Sequence, residues 1–300
     1  MDAMRALGLV LILAAASAQS ANAQVDAATF DWNGAVPAGA TVRIFDVDGD
    51  IRVAGTSGSQ VQVHGKRTHV LSGGRALLFA VAKSGDDVTI CAYHPGGSCD
   101  ARGSHGEEGV HLVLPGHSPS ADFTVELPAG VKLAASSGDG EIDVRGVGAD
   151  VSASTGDGSI SVSGSAGDVM AKSGDGSITI DNASRAVTAH TGDGSISIST
   201  ATGPVEATTG DGNVELHMAK EVKPGDINLH TGDGSVTIYV ASAFGGELDA
   251  STSDGSIQSD QPLALSGRVD PRHMQGTIGS GGNVRLRIRT GDGDIRIKRE

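Results

Sequence analysis

The chain has 300 residues, 45 of them glycine, with aromatic residues at only 3% and a formal net charge of −14. This length holds one large or two small domains, and so few rings exclude a core built on aromatic area. The acidic balance excludes duplex nucleic acid as a partner, because a duplex-binding face needs clustered Lys and Arg, and such clustering occurs only near the C-terminus.

At the N-terminus Arg5 precedes an apolar run from Ala6 to Ala16, too short to span a bilayer. An A-x-A word ends at Ala23. Residues 1–23 therefore read as a secretory signal cleaved after Ala23, with no transmembrane segment expected in the mature chain. The expected location is exported, either periplasmic or secreted to the cell surface.

Residues 24–135 read as an N-terminal β region. Val42 and Ile44, Ile51 and Val53, and Val61 and Val63 alternate with other residues and recur at nine- and ten-residue spacing, as first coils would. From His64 to Pro128 the pattern changes to longer apolar segments, read as strands or hairpins inserted between early and late coils and capping the stack. Trp32, Phe45, Phe79, Tyr93 and Phe123 lie in this region, so it packs differently from the repeats. Cys91 and Cys99 flank a Pro-Gly-Gly turn, and an even cysteine count in an exported chain predicts a disulfide. His94, His105, His111 and His117 lie near these cysteines and near Glu107 and Glu108, but without the spacing of a zinc site. They read as incidental members of a polar loop.

Residues 136–300 carry a repeat. A Gly-Asp-Gly word places Asp139, Asp157, Asp175, Asp193 and Asp211 eighteen residues apart, followed by Asp233, by Asp254 in the variant Ser-Asp-Gly and by Asp292, with an earlier variant at Asp48. Each unit splits into two short alternating segments, such as Ile160 with Val162 and Val169 with Ala171. Period-two alternation predicts strands with one buried face, and stacked units predict a parallel β-solenoid of about 18 residues per coil. The Gly-Asp-Gly word reads as the corner, with Gly accepting positive φ and Asp bonding an amide ahead of it. Thr155, Ser173, Thr191 and Thr209 offer hydroxyls at the same corner. The final segment alternates Arg285, Arg287, Arg289, Arg296 and Lys298 with aliphatics, and reads as a charged cap strand guarding an open edge. A basic patch for acidic polymers is the rival reading.

Several stretches together resemble the DUF4097 family of exported bacterial β-strand-repeat proteins, which carry an adhesin label. They are "FDWNGAVPAGATVRIFDVDGDIRV", "VTICAYHPGGSC", "DFTVELPAGVKL", the serial Gly-Asp-Gly words and "GTIGSGGNVRLRIRTGDGDIRI". The resemblance implies a single-stranded, right-handed β-helix and supplies no catalytic residues.

Chemistry is sparse. Asp139, Asp157, Asp175, Asp193, Asp211 and Asp233 are the candidate Ca²⁺ ligands, but the opposite corner lacks a matching acidic word, and Ca²⁺ takes six to eight oxygens. No cofactor is expected. A polysaccharide-active enzyme would need paired carboxylates in a cleft, whereas the outward repeat positions are mostly Ser and Thr. The expectation is a non-enzymatic solenoid that presents a Ser/Thr/Asp-rich surface for adhesion or envelope interaction, to a glycan or protein. The alternatives are a polysaccharide-active β-helix enzyme and a Ca²⁺-binding repeat protein.

Overall fold

The computed structural model describes residues 23–68, 77–105, 119–219, 225–266 and 270–300, and every regular element among them is a strand. All of the candidate signal except Ala23 lies outside the described residues, as do Glu107, Glu108, His111 and His117.

The N-terminal strands are β1 (Ala23–Val25), β2 (Thr29–Gly34), β3 (Thr41–Phe45), β4 (Ile51–Thr56), β5 (Val61–Arg67) and β6 (Leu78–Ser84). They continue with β7 (Asp87–Tyr93), β8 (Ser98–Asp100), β9 (Gly103–His105), β10 (Ala121–Pro128), β11 (Lys132–Ser136) and β12 (Ile142–Arg145). The repeat body follows as β13 (Val151–Ser154), β14 (Ile160–Ser163), β15 (Val169–Lys172), β16 (Ile178–Asp181) and β17 (Val187–His190). Its later members are β18 (Ile196–Ala201), β19 (Val205–Thr209), β20 (Val214–Met218), β21 (Gly225–Thr231) and β22 (Val236–Val240). The last strands are β23 (Gly246–Thr252), β24 (Ile257–Ser259), β25 (Leu263–Leu265), β26 (His273–Ile278), β27 (Val284–Thr290) and β28 (Ile295–Arg299).

These strands form two long, mostly parallel sheets of fourteen and twelve strands, plus the small β8–β9 pair. Odd-numbered repeat strands stack in one sheet and even-numbered ones in the other. The stack is solenoid-like, as the alternation predicts. Ile142, Ile160, Ile178 and Ile196 pair in register, forming one buried column. The other sheet contributes the column Ala135, Ala153, Ala171, Ala189 and Ala207. Small residues on one sheet leave room for branched ones on the other, which explains why so few rings are needed. Each fully buried Ile contributes about 2–3 kcal/mol of transfer free energy. One hydrophobic cluster runs from Phe30 to Ile297.

The stacking order differs from chain order at both ends. β3 and β4 pair directly with β11 and β12, so the intervening segment does not separate early coils from late ones in space. That segment lies outside them instead, with β7 against β3 and β10 against β4. It caps the stack, where Phe79 stacks on Phe30 of β2 and meets Phe123 edge to face. Val61 and Val63 do not continue the coil series; they lie in β5, which runs antiparallel between β2 and β10. Their alternation was legible, but their strand direction depends on partners distant in sequence.

At the C-terminal end β27 and β28 are not edge strands. β27 lies between β21 and β23, and β28 between β22 and β24. The cap-strand reading of the arginine-rich tail is therefore overturned. The edges at this end are β25, on β26, and the three-residue β24.

Candidate binding surface

Each corner is built on main-chain contact between coils. The N–H of Gly210 donates to Gly192 O at 2.6 Å and that of Gly291 to Gly232 O at 2.7 Å; Gly156, Gly174 and Gly192 donate likewise to the coil before. None of the Gly-Asp-Gly glycines has positive φ, so the expected reason for glycine is corrected. A Cβ on Gly158 would stand 2.0 Å from Gly140 O, and one on Gly194 2.2 Å from Gly176 O. Glycine is required because the next backbone passes where a side chain would sit. Positive φ belongs to the opposite corner, at Gly146, Gly164 and Asn182.

The Ser or Thr before each corner turns its hydroxyl inward. Thr155, Ser173, Thr191, Thr209 and Thr231 donate to Gly140 O, Gly158 O, Gly176 O, Gly194 O and Gly212 O at 2.7–2.9 Å. The same oxygen accepts the corner N–H in several coils, as Gly176 N–H to Ser173 Oγ at 2.9 Å. The hydroxyl thus takes the turn-closing role expected of the Asp. Asp139, Asp157, Asp175, Asp193, Asp211, Asp233, Asp254 and Asp292 are all exposed instead, along one stripe. In space Asp292 precedes Asp254, because both Ser253 N–H and Asp254 N–H donate to Gly291 O.

The first corner departs from the rule in a way the sequence reading missed. Asp46 occupies the hydroxyl position, accepting Val47 N–H at 2.8 Å and Gly49 N–H at 2.9 Å while only 9% exposed. Burial pushes its carboxyl up to about 8, with Asp122 and Asp48 adding in the same direction against the two amide bonds. Alignment of "FDVDGD" with "SSGDGE" was the available signal, since Asp46 falls where Ser137 stands. Asp48, beside it, is also raised, by burial first and then by Asp139.

Among the described residues, no group of three or more His, Cys, Asp or Glu is arranged to hold a metal ion. Cys91 and Cys99 are joined in a disulfide, as expected, so neither offers a thiolate to zinc. His105 Nε2 lies 3.1 Å from Asp100 Oδ1.

The two outer faces differ. On the twelve-stranded sheet, Ser161, Thr179 and Ser197 form one row and Ser163, Asp181 and Ser199 a second. The second row continues into His217, Tyr239 and Lys298. His217 and Tyr239 stack with ring centroids 4.0 Å apart and planes 9° from parallel, and Lys298 Nζ lies 5.4 Å from the tyrosine centroid. At the other end of this sheet Asp31, Trp32, Gln62, His64 and Glu126 help line a cavity of about 180 Å³. On the fourteen-stranded sheet a shallow groove of about 460 Å³ runs over Ala134, Ser152 and Met170. The Lys132–Asp150 pair, at 2.9 Å, stands beside it.

The tail arginines meet acids on both neighbouring strands. Arg285 contacts Glu247 at 3.3 Å, Arg287 contacts Asp226 at 3.1 Å and Arg289 contacts Asp249 at 2.6 Å. Arg296 contacts Asp294 at 2.6 Å. Each of these four arginines is matched by a carboxylate, which argues against a basic patch on this strand pair; Lys298 instead lies over the Tyr239 ring.

Two solved structures are similar to this chain. One is described as "a putative cell adhesion protein" from Clostridium sporogenes, at 13% identity and a TM-score of 0.31, covering 91% of this chain and 100% of that one. The other is described as "a putative adhesin" from Bacteroides fragilis, at 11% identity and a TM-score of 0.42, covering 90% and 96%. No curated protein matches. The family model described as Toastrack DUF4097 matches residues 57–298, most of the chain. The protein therefore belongs to the DUF4097 family.

Proposed function

We propose that the chain is a non-enzymatic, exported binding protein whose twelve-stranded sheet presents its outer face to a cell-envelope or extracellular polymer. The observation that carries this reading is the pair of rows Ser161–Thr179–Ser197 and Ser163–Asp181–Ser199, laid in register along a parallel sheet. Rungs about 4.8 Å apart repeat the same short hydroxyls, which suits a ligand that is itself repetitive. A glycan fits that chemistry best, because its hydroxyls exchange donors and acceptors with Ser, Thr and Asp. The stacked His217–Tyr239 pair supplies an amphipathic surface at the end of the rows.

In this reading the body is a right-handed single-stranded β-helix, and the eighteen-residue register of β12, β14, β16 and β18 supports the coil length. The Cys91–Cys99 bridge supports an oxidising compartment. Export would follow cleavage after Ala23. The enzyme alternative has one point in its favour, since Asp31 and Glu126 share a cavity. At about 180 Å³ that cavity is smaller than the ~300–1,000 Å³ of typical small-molecule sites, so binding on the flat face is preferred.

The test is retention of purified envelope polysaccharide by the immobilised protein, comparing the parent with Thr179→Arg, Ser197→Arg and Tyr239→Ala. Retention lost in all three supports the reading. No retention by the parent, or equal retention by the three variants, overturns it.

A further inference from the structure

The last strand pair fills a rung that the chain has already passed. β21 and β22 form one coil and β23 and β24 the next in sequence, yet these two coils do not pair with each other. The space between them is taken by β27 and β28, each parallel to a strand on either side. Val284, Leu286, Ile288, Ile295 and Ile297 point inward and are buried. Thr290 Oγ1 donates to Gly234 O at 2.7 Å on one side, while Gly293 O accepts from Thr252 Oγ1 at 2.9 Å on the other. The slot is thus shaped by both neighbours for one particular sequence.

The contacts that hold the segment come largely from elsewhere in the chain. Asp226 on β21 and Glu247 and Asp249 on β23 flank the three β27 arginines. The connector from β26 is the glycine-rich run 279–283, with φ of +60° at Gly279 and +79° at Gly281. A Cβ at Gly282 would stand 2.5 Å from Gly245 O, so this connector passes backbone to backbone over the entry to β23. A strand pair inserted between two other coils and joined through a short glycine-rich connector has the form of an exchangeable element.

We propose that the β27–β28 segment is a donor strand pair that a second copy of this chain can supply in place of its own. The partner is a second copy because the slot's apolar spacing, corner hydroxyls and paired acids match Val284–Arg299 in register. Donor and slot lie at the same end of the stack, so reciprocal exchange closes into a two-fold dimer rather than an open filament. A five-residue connector reaches at most ~18 Å, which brings the two C-terminal ends together. Within one chain the connector holds its own segment at an effective concentration on the order of millimolar. The monomer therefore dominates in dilute solution, and exchange appears at high local concentration or when chains refold together.

The experiment uses Thr237 and Arg296, which face each other across β22 and β28 on the outer surface. Full-length chains carrying Thr237→Cys or Arg296→Cys are unfolded together at high concentration, refolded and then oxidised. The doubly substituted chain serves as the control that cross-links within itself. Exchange yields a covalent dimer joining the Thr237→Cys chain to the Arg296→Cys chain, several-fold above either self-linked dimer and of dimer mass by light scattering. A mixture with no excess of the mixed dimer, alongside complete internal cross-linking of the double variant, overturns the proposal.

Discussion

A Cβ placed on Gly176 would lie 2.0 Å from the carbonyl oxygen of Gly158 in the coil before it. That oxygen is fixed by accepting the Ser173 hydroxyl at 2.8 Å, so it cannot withdraw without breaking a bond. Gly176→Ala is expected to lower stability by more than ~3 kcal/mol, in the range of severe single-site effects. Gly146→Ala is the control: its φ is +65° and no atom lies within 4 Å of the added carbon. The cost there is only the left-handed penalty of about 1–2 kcal/mol. Urea unfolding of both variants separates close approach from conformational freedom as the reason for glycine.

Thr191 tests the inner hydroxyl ladder. Its Oγ1 donates to Gly176 O at 2.7 Å and to Gly174 O at 3.3 Å from a buried position. Thr191→Val keeps the shape and removes the donor, leaving a buried carbonyl short of a partner at a cost of about 1–3 kcal/mol. Thr191→Ser keeps the donor and stays within ~1 kcal/mol of the parent. Equal losses in the two variants would assign the position to packing alone.

The repeat was legible because its signals are local: alternation sets which residues point inward, and the fixed step sets the register of Ile160, Ile178 and Ile196. The two reorderings were not legible. Val61 alternates as a coil strand would, yet its direction is fixed by β2 and β10. The arginines of β27 carry the charge of an edge strand, yet Asp226, Glu247 and Asp249 pair with them from both sides. Which strand neighbours which is a matter of partner choice across tens of residues, and no spacing rule encodes it. The corner was read half correctly. Its position follows from the Gly-Asp-Gly word, but the duties of glycine, aspartate and hydroxyl depend on how closely coils approach.

Asp46 gives the protein a pH dependence of known sign. Its folded value near 8 lies above the ordinary 3.8. Between these values the folded chain keeps a proton that the unfolded chain has released. Stability from this group is therefore full below about pH 4, falls as pH rises through the window, and levels off above about 8. Asp46→Thr installs the hydroxyl that Thr155, Thr191 and Thr209 use at later corners, and removes that slope. The variant is expected to exceed the parent by ~2–5 kcal/mol at about pH 9 and to match it near pH 4. Chemical denaturation across that range is the measurement, and a parent whose stability rises from pH 5 to 8 faster than the variant's contradicts the assignment.

The exposed stripe of Asp139, Asp157, Asp175, Asp193 and Asp211 sets like charges on successive rungs about 4.8 Å apart. Salt screens such repulsion over about 8–10 Å near physiological ionic strength. Melting temperature is therefore expected to rise by a few degrees between about 10 and 300 mM NaCl, with Asp175→Asn reducing the salt dependence. Calcium is a stronger test of what the stripe can hold. Around it, Gly156 O and Gly174 O already accept main-chain N–H groups from the next coil, and Gly158 O and Gly176 O accept hydroxyls. One carboxylate per rung with its neighbours falls short of the six to eight oxygens that calcium takes. CaCl₂ at matched ionic strength is thus expected to shift the melting temperature no more than NaCl does, and EDTA to change nothing. A larger shift with calcium, reversed by EDTA and lost in Asp175→Asn, would instead make the stripe a cation-binding corner and return the calcium-repeat reading to first place.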